Sequence, residues 1–568
     1  MSAAPGTMPV LHAVRAVETV SMRTRDGVRL DADVYRPDAA GPWPVLLMRQ
    51  PYGRTIASTV CYAHPTWYAA RGYIVAVQDV RGRGSSEGEF RPFEDDAQDG
   101  ADAVEWAAGL AGSNGSVGMY GFSYQGSNQL LAASARPSAL KAIAPAMIGW
   151  NMRADWAFEN DAFALLANVE WAIQLAAGNA RRAGDAEAFH ALWQASRTIP
   201  LHDPVPGRPE ILKSCCRYTH YFDWVEQPPE SSYWSRISPA SHSTTLTREG
   251  PPALFIGGWY DTHLRGTIEA YRSYEAAGRR DARLIVGPWA HFPWGRRLGA
   301  LDFGAQAIGA IDQLQVAWFD YWLKASPNRV AFDPASRVTL FDITARAWRA
   351  FPSWPDSREQ WYPVGAGRTA IDERTGRLVA ALPPQPASDC LVHDPWRPVP
   401  SVGGAHGAPS GPANRTQIDA RPDVLTYTSA PLATSLAMAG IAEVTLDIRA
   451  DAPSFDLSCV LSRVSPDGQA IHLTDGYRHF PLAPPGNACR IPLRPFCATL
   501  LPGECLRLSV AAASFPAFPV NPGDGTAPWD AELTAARPIT ITVHYGPSSS
   551  SCVVLPPTNA GAPAMEVQ

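Results

Sequence analysis

Ser123 lies in the segment 117–128, VGMYGFSYQGSN, where an apolar run passes through Gly121-Phe122-Ser123-Tyr124-Gln125-Gly126 towards an Ala/Leu-rich stretch. A serine at a strand-to-helix turn adopts a strained backbone, and small neighbours are needed where the two elements crowd together. Such a turn lifts the hydroxyl above a sheet. It also aims the next N–H, that of Tyr124, and the helix N-terminus at the place where an oxyanion forms. The commoner spacing is G-x-S-x-G, whereas here the second glycine comes one residue later, which leaves a purely structural turn open.

Two other segments carry matching chemistry. The apolar run 253–256 ends in Gly257-Gly258-Trp259-Tyr260-Asp261, and the run 284–286 ends in Gly287-Pro288-Trp289-Ala290-His291. Each places a polar side chain just past the carboxyl end of an expected strand, where open α/β sheets form their sites. Alone, Asp261 or His291 reads as a turn residue or a satisfied polar group. Together with Ser123 they follow the chain order nucleophile, acid, base that one class of serine hydrolases uses. Serine is a weak nucleophile at neutral pH, so a neutral imidazole must take its proton during attack. A buried carboxylate then orients the imidazole and stabilises its cation.

Arg49-Gln50-Pro51-Tyr52-Gly53-Arg54 follows the run 45–48, where a second oxyanion donor is supplied in such enzymes. No HGGG-like segment is present, so the Tyr52 hydroxyl becomes the candidate, with a loop aromatic packed on the core as the alternative. The loop DVRGRGS at 79–85 matches neither a P-loop nor G-x-G-x-x-G. It reads as structural, with Asp79 and Arg81 in buried hydrogen bonds.

These side chains need a scaffold. Runs at 45–48, 74–77, 117–120, 253–256 and 284–286 read as short buried strands, with helices at 98–110 and 125–135 packed on them. Between 150 and about 243 the strand rhythm stops, and 154–180 and 184–196 read as helices, as in an inserted cap. A long helix is expected over 305–323. From about 357 helices disappear, and alternating runs at 442–448, 505–510 and 539–543 suggest a β-sandwich or jelly roll. The ends, 1–10 and 557–568, read as disordered.

At 568 residues the chain exceeds one ordinary core. A net charge of −6 and 18% charged residues exclude a polyanion-binding surface spread over the molecule. No run reaches the roughly 18 apolar residues of a membrane span. Residues 1–10 lack a cationic start followed by an apolar core, so no secretory signal is read and the cytoplasm is the default address. The nine cysteines are dispersed without CxxC pairs, which points to reduced thiols rather than a metal or redox motif.

Taken together, the ordered segments RQPYGR, QDVRGRGSSEGEF, GFSYQG, GGWYD, GPWAH, WFDYWL, HDPWRPVPSVGG, DVLTYTSAPL, SPDGQAIHLTDG and SFPAFPVNPGDG resemble the cocaine esterase and Xaa-Pro dipeptidyl-peptidase family of serine hydrolases. That group includes alpha-amino-acid ester hydrolases and cephalosporin acylases. The resemblance implies an α/β-hydrolase fold with an inserted helical cap, followed by a C-terminal all-β jelly-roll domain. The corresponding boundaries are 1–149 with 245–356, 150–244, and 357–568. It also implies Ser123 as nucleophile, His291 as base, Asp261 as its partner, and Tyr52 with the Tyr124 N–H as oxyanion donors.

Amino-acid ester hydrolases hold a substrate ammonium with a carboxylate cluster that includes two residues shortly after the catalytic Asp. Here those positions hold His263 and Leu264, so the anionic trap is incomplete even if Asp155 matches its remaining member. Asp155, Glu159 and Asp161 read as a solvated helix face, with a cap cleft as the alternative. Trp150, Trp156, Phe163 and Trp259 are the candidates for an acyl pocket, although the same aromatics serve as core.

The expected activity is cofactor-independent, metal-free cleavage of a small-molecule ester, less readily an amide, through an acyl-enzyme. An acyltransferase or peptide-processing enzyme of secondary metabolism would use the same intermediate. A non-catalytic binding protein on this scaffold is the third reading. Neither nucleic acid nor membrane is an expected partner, and a homo-oligomer is left open.

Overall fold

The computed structural model describes residues 11–55, 61–292, 294–324, 334–482, 484, 487–558 and 562–563. Its first sheet begins with β1 (Glu18–Arg23), β2 (Arg29–Tyr35) and β3 (Trp43–Gln50). The short helix α1 (Pro65–Ala69) leads to β4 (Ile74–Asp79), and α2 (Asp96–Ala108) leads to β5 (Ser113–Phe122). Helix α3 (Tyr124–Ser134) then returns the chain to β6 (Leu140–Ala146). Val45–Met48 and Ile74–Val77 are almost wholly excluded from solvent. Strands buried on both faces read as continuous apolar runs, which is why they are visible in the sequence.

After β6 the chain leaves the sheet. One π-turn, Arg153–Ala157, precedes a small hairpin of β7 (Phe158–Glu159) and β8 (Ala162–Phe163). Helices α4 (Leu165–Arg182), α5 (Ala186–Arg197), α6 (Glu210–Ser214), α7 (Tyr221–Glu226), α8 (Ser232–Ile237) and α9 (Ser243–Glu249) follow. The hairpin corrects the expected continuous helix over 154–180. Asn160 and Asp161 both have positive φ, 46° and 67°, values that turn residues of this type tolerate and helix interiors do not.

The chain re-enters the sheet with β9 (Ala253–Tyr260), α10 (Leu264–Ala276) and β10 (Ala282–Ala290). A two-stranded excursion, β11 (Arg297–Leu298) and β12 (Leu301–Asp302), comes before α11 (Ile311–Leu323), β13 (Val338–Asp342) and β14 (Ala347–Phe351). The expected helix over 305–323 is thus split into a single 3₁₀ turn at Ala305–Ala307 and α11. A Cβ at the intervening Gly309 would lie 2.7 Å from the Trp289 ring.

Sheet order is β1-β2-β4-β3-β5-β6-β9-β10-β13-β14, closed at its far edge by Ala562–Pro563. Neighbours from β4 to β13 run parallel, and the edges are antiparallel. The carboxyl ends of β3, β5, β9 and β10 therefore share one rim.

The C-terminal part is an antiparallel β domain. Strands such as Glu443–Ala450, Phe455–Val464, Ala470–Phe480, Cys505–Ala511 and Ile539–Tyr545 pair in long ladders. α-Helix is limited there to the four-residue turn Thr416–Asp419 among the described residues, beside 3₁₀ turns at Pro528–Asp530 and Leu533–Ala535. Pro557 and Thr558 are tied to Met438 and Ala437, so this end of the expected disordered tail is ordered. Residues 1–10 lie outside the described residues. No helix among the described residues is long and apolar enough to cross a membrane.

Candidate active site

Four strand ends supply the site. Ser123 stands between β5 and α3 with φ 60° and ψ −127°, a strained conformation for a residue with a side chain. Two glycines permit it. Gly121 has φ 141°, and a Cβ at Gly126 would lie 2.5 Å from Ile148 Cγ2 and 2.6 Å from the Ala146 carbonyl oxygen. The Ser123 N–H donates to the Ala146 oxygen at 2.9 Å. The Tyr124 N–H, first in α3, has no helical carbonyl one turn earlier to receive it. The Tyr124 hydroxyl donates to Asp96 at 2.6 Å, and its ring stacks on Phe93.

Asp261 follows β9 and His291 follows β10. His291 Nε2 lies 3.0 Å from Ser123 Oγ, and His291 Nδ1 lies 2.7 Å from Asp261 Oδ1. Burial would raise the Asp261 carboxyl, but hydrogen bonds from His263 and His291 reverse this and hold it well below the carboxylate range. It is a buried anion beside an imidazole, as a serine–histidine relay requires.

Tyr52 follows β3. Its hydroxyl contacts Ser123 and accepts a hydrogen bond from Trp171 Nε1 at 3.1 Å. Burial pushes its ionisation up, so the group stays protonated as a donor. The loop at 79–85 holds the Tyr52 segment. Arg83 Nε donates to the Pro51 carbonyl at 2.5 Å, and Asp79 accepts from the Arg54 N–H at 2.7 Å and its guanidinium at 2.6 Å. Arg81 pairs with Asp99 at 2.6 Å.

The serine opens on a cavity of about 510 Å³ between the sheet rim and the inserted helices. Tyr52, Phe93, Phe122, Trp156, Trp171 and Phe292 give it an aromatic wall, and Gln125, Glu170, Gln174 and His263 supply polar groups. Ala167, Glu170, Trp171 and Gln174 lie on one stripe of α4.

Of the four expected pocket aromatics, Trp156 is in this wall and three are not. Phe163 is fully buried against Phe158 and Tyr221, and Trp150 packs in the main core. Trp259 donates its indole N–H to the Phe341 carbonyl at 2.7 Å, across the sheet rather than into the cavity. A strand residue one place off in register faces the opposite layer, which decides Trp259. Trp171, absent from the expected set, touches Tyr52; its place on the cavity stripe of α4 depends on how that helix docks.

The acidic residues of the insertion also differ from expectation. Asp155 is buried and accepts the Asn151 N–H at 2.7 Å, and Glu159 is buried beside His406 and Arg494. Of these three acids, Asp161 keeps an exposed face, pairing with Arg153 at 3.2 Å. His263 and Leu264 stand at the two positions where the amine trap would need acids, and Leu264 is fully buried. Asp261, His263 and His291 set their donor atoms within 4.8 Å of one another, a spacing that a metal ion can bridge. Any such ion would have to displace the bond between Asp261 and His291.

The pattern described as X-Pro dipeptidyl-peptidase (S15 family) matches residues 26–293, and that of the X-Pro dipeptidyl-peptidase C-terminal non-catalytic domain matches residues 328–554. A cocaine esterase of Rhodococcus sp. (strain MB1 Bresler) is 31% identical over 94% of this chain and 97% of its own length. The chain belongs to the S15 family. Its S15 fold is shared with two solved structures that each align over 98% of both chains. One is an aminopeptidase from a marine sediment archaeon, Thaumarchaeota archaeon, with TM-score 0.77 and 22% identity. The other is an alpha-amino acid ester hydrolase with TM-score 0.76 and 21% identity. This S15 member is a serine hydrolase whose relatives include esterases.

Proposed function

We propose that this S15 hydrolase cleaves small-molecule esters through an acyl-enzyme formed on Ser123. The observation that carries the reading is the continuous hydrogen-bond chain Ser123–His291–Asp261, at 3.0 and 2.7 Å, opening on an aromatic cavity. Ser123 Oγ attacks the ester carbonyl while His291 Nε2 takes its proton. Asp261 fixes the imidazole with Nε2 towards the serine and stabilises the imidazolium. The Tyr124 N–H and the Tyr52 hydroxyl donate to the oxygen that becomes negative. The proton on His291 then goes to the departing alkoxide. Water, deprotonated by the same imidazole, releases the acid.

A cavity of about 510 Å³ falls in the range used for small ligands. Its aromatic wall favours an apolar or aryl acyl group. The similarity to a cocaine esterase supports ester rather than peptide cleavage. The positions held by His263 and Leu264, and the buried, inward-bonded Asp155, argue against recognition of a free α-amino group by an acid cluster.

The test is intact-protein mass spectrometry after exposure to an ester library. Retained acyl mass in the parent protein, absent in Ser123→Ala, is expected. A full acyl load on the Ser123→Ala protein would remove Ser123 as the nucleophile.

A further inference from the structure

The loop that carries Asp261 is not held by its own sheet alone. Arg494, from the β domain between strands Ala488–Pro492 and Phe496–Leu500, reaches it through a buried guanidinium. Arg494 Nη2 donates to the Thr262 carbonyl at 2.8 Å, and Nη1 approaches the same oxygen at 3.3 Å and the Asp261 carbonyl at 3.5 Å. Its own backbone is anchored in the β domain: the N–H donates to Asp475 O at 2.7 Å, and the carbonyl accepts from Thr474 Oγ1 at 2.7 Å.

The nitrogen that holds Thr262, Nη2, also meets the insertion. Glu159 Oε2 lies 3.2 Å from Arg494 Nη2, and His406 Nε2 lies 3.0 Å from the same nitrogen. His406 Nε2 is also 3.2 Å from Glu159 Oε2. Glu159 is the buried anion that makes a buried cation tolerable at this place. One side chain of the β domain therefore ties the β7 turn of the insertion to the two residues following β9.

We infer that Arg494 is a positioning residue for the reaction, setting the backbone of Asp261 and Thr262, and through it the carboxylate that orients His291. This rests on the reading of Asp261 as the partner of His291. Its consequence is that the β domain takes part in the chemistry by fixing one member of the relay, beyond any role in covering the cavity. Displacing a catalytic group by about 1 Å can cost roughly 100-fold in rate, so a contact this close to Asp261 is sufficient to matter.

The experiment compares Arg494→Ala and Arg494→Lys with the parent enzyme on a neutral chromogenic ester. Arg494→Ala is expected to lower kcat about 10- to 100-fold with KM within about threefold, since the Arg494 side chain itself does not line the cavity. Guanidinium chloride below its denaturing range is expected to restore part of that loss by refilling the space. Lysine, which keeps the charge without the forked donor, should fall between the two.

A folded Arg494→Lys protein with parental kcat would overturn the inference. So would an alanine variant whose loss tracks its folded fraction and ignores guanidinium, or the failure of both variants to fold, which would make Arg494 structural only. Fluorophosphonate labelling of Ser123 in the parent, lost in His291→Ala, examines the site separately. Failure of that labelling sinks the reading of the site. Normal labelling with indifferent Arg494 variants sinks only the positioning role.

Discussion

Tyr52, the proposed second oxyanion donor, stands in a loop that other side chains fix. Its hydroxyl is held protonated by burial and touched by both Ser123 and Trp171. Removing one donor to a developing oxyanion typically costs about 10²–10³ in kcat. Tyr52→Phe should therefore slow turnover by about that factor while KM stays near the parental value, and steady-state kinetics with an unchanged kcat would remove Tyr52 from the mechanism. Trp171→Phe keeps a ring in the cavity wall and deletes only the N–H that orients Tyr52. A single hydrogen bond of about 1 kcal/mol corresponds to a roughly fivefold slower kcat. Burst kinetics comparing the two variants would show whether the effect falls on acylation, as expected.

The turn between β5 and α3 is where strain is stored, and the neighbouring glycines accommodate it. Gly126 sits against Ile148 and the Ala146 carbonyl with no space for a methyl group. Gly126→Ala should force α3 outward and destabilise the protein by about 1–3 kcal/mol, the usual cost of overpacking. Thermal unfolding would register this as a lower Tm, and a Tm equal to the parent's would mean the strand and helix can separate freely. Activity should fall in the same variant, because the Tyr124 N–H moves with α3.

Three parts of the chain meet at Glu159, Arg494 and the Asp261 loop. Burial alone would raise the Glu159 carboxyl, but Arg494 and His406 outweigh it and hold the group at about 2 against an ordinary 4.5. An acid depressed in the folded protein binds fewer protons there than in the unfolded chain. Its contribution to stability is therefore complete above about 4.5 and is lost as pH falls towards about 2. Chemical denaturation across that window should show a falling midpoint. In Glu159→Gln the fall should be shallower, whereas an identical slope would mean that the junction is loose in solution.

The sequence by itself determined the α/β first half, the helical insertion and the β-rich last third. Continuous apolar runs such as 45–48 and 117–120 fit only strands buried on both faces, and turn-forming residues mark their ends. It also placed Ser123, Asp261, His291 and Tyr52 at strand ends, because parallel strands must deliver their following residues to one rim. What it left to tertiary structure was every contact made by a side chain whose neighbours come from elsewhere in the chain. Trp259 and Trp171 are both tryptophans in apolar surroundings, and only register and helix docking turn one towards Phe341 and the other towards Tyr52. Glu159 reads as a surface acid until the β domain brings Arg494 across 335 positions of chain to meet it. Periodicity is a local property, whereas the pairing of buried charges is settled by how separately folded layers dock.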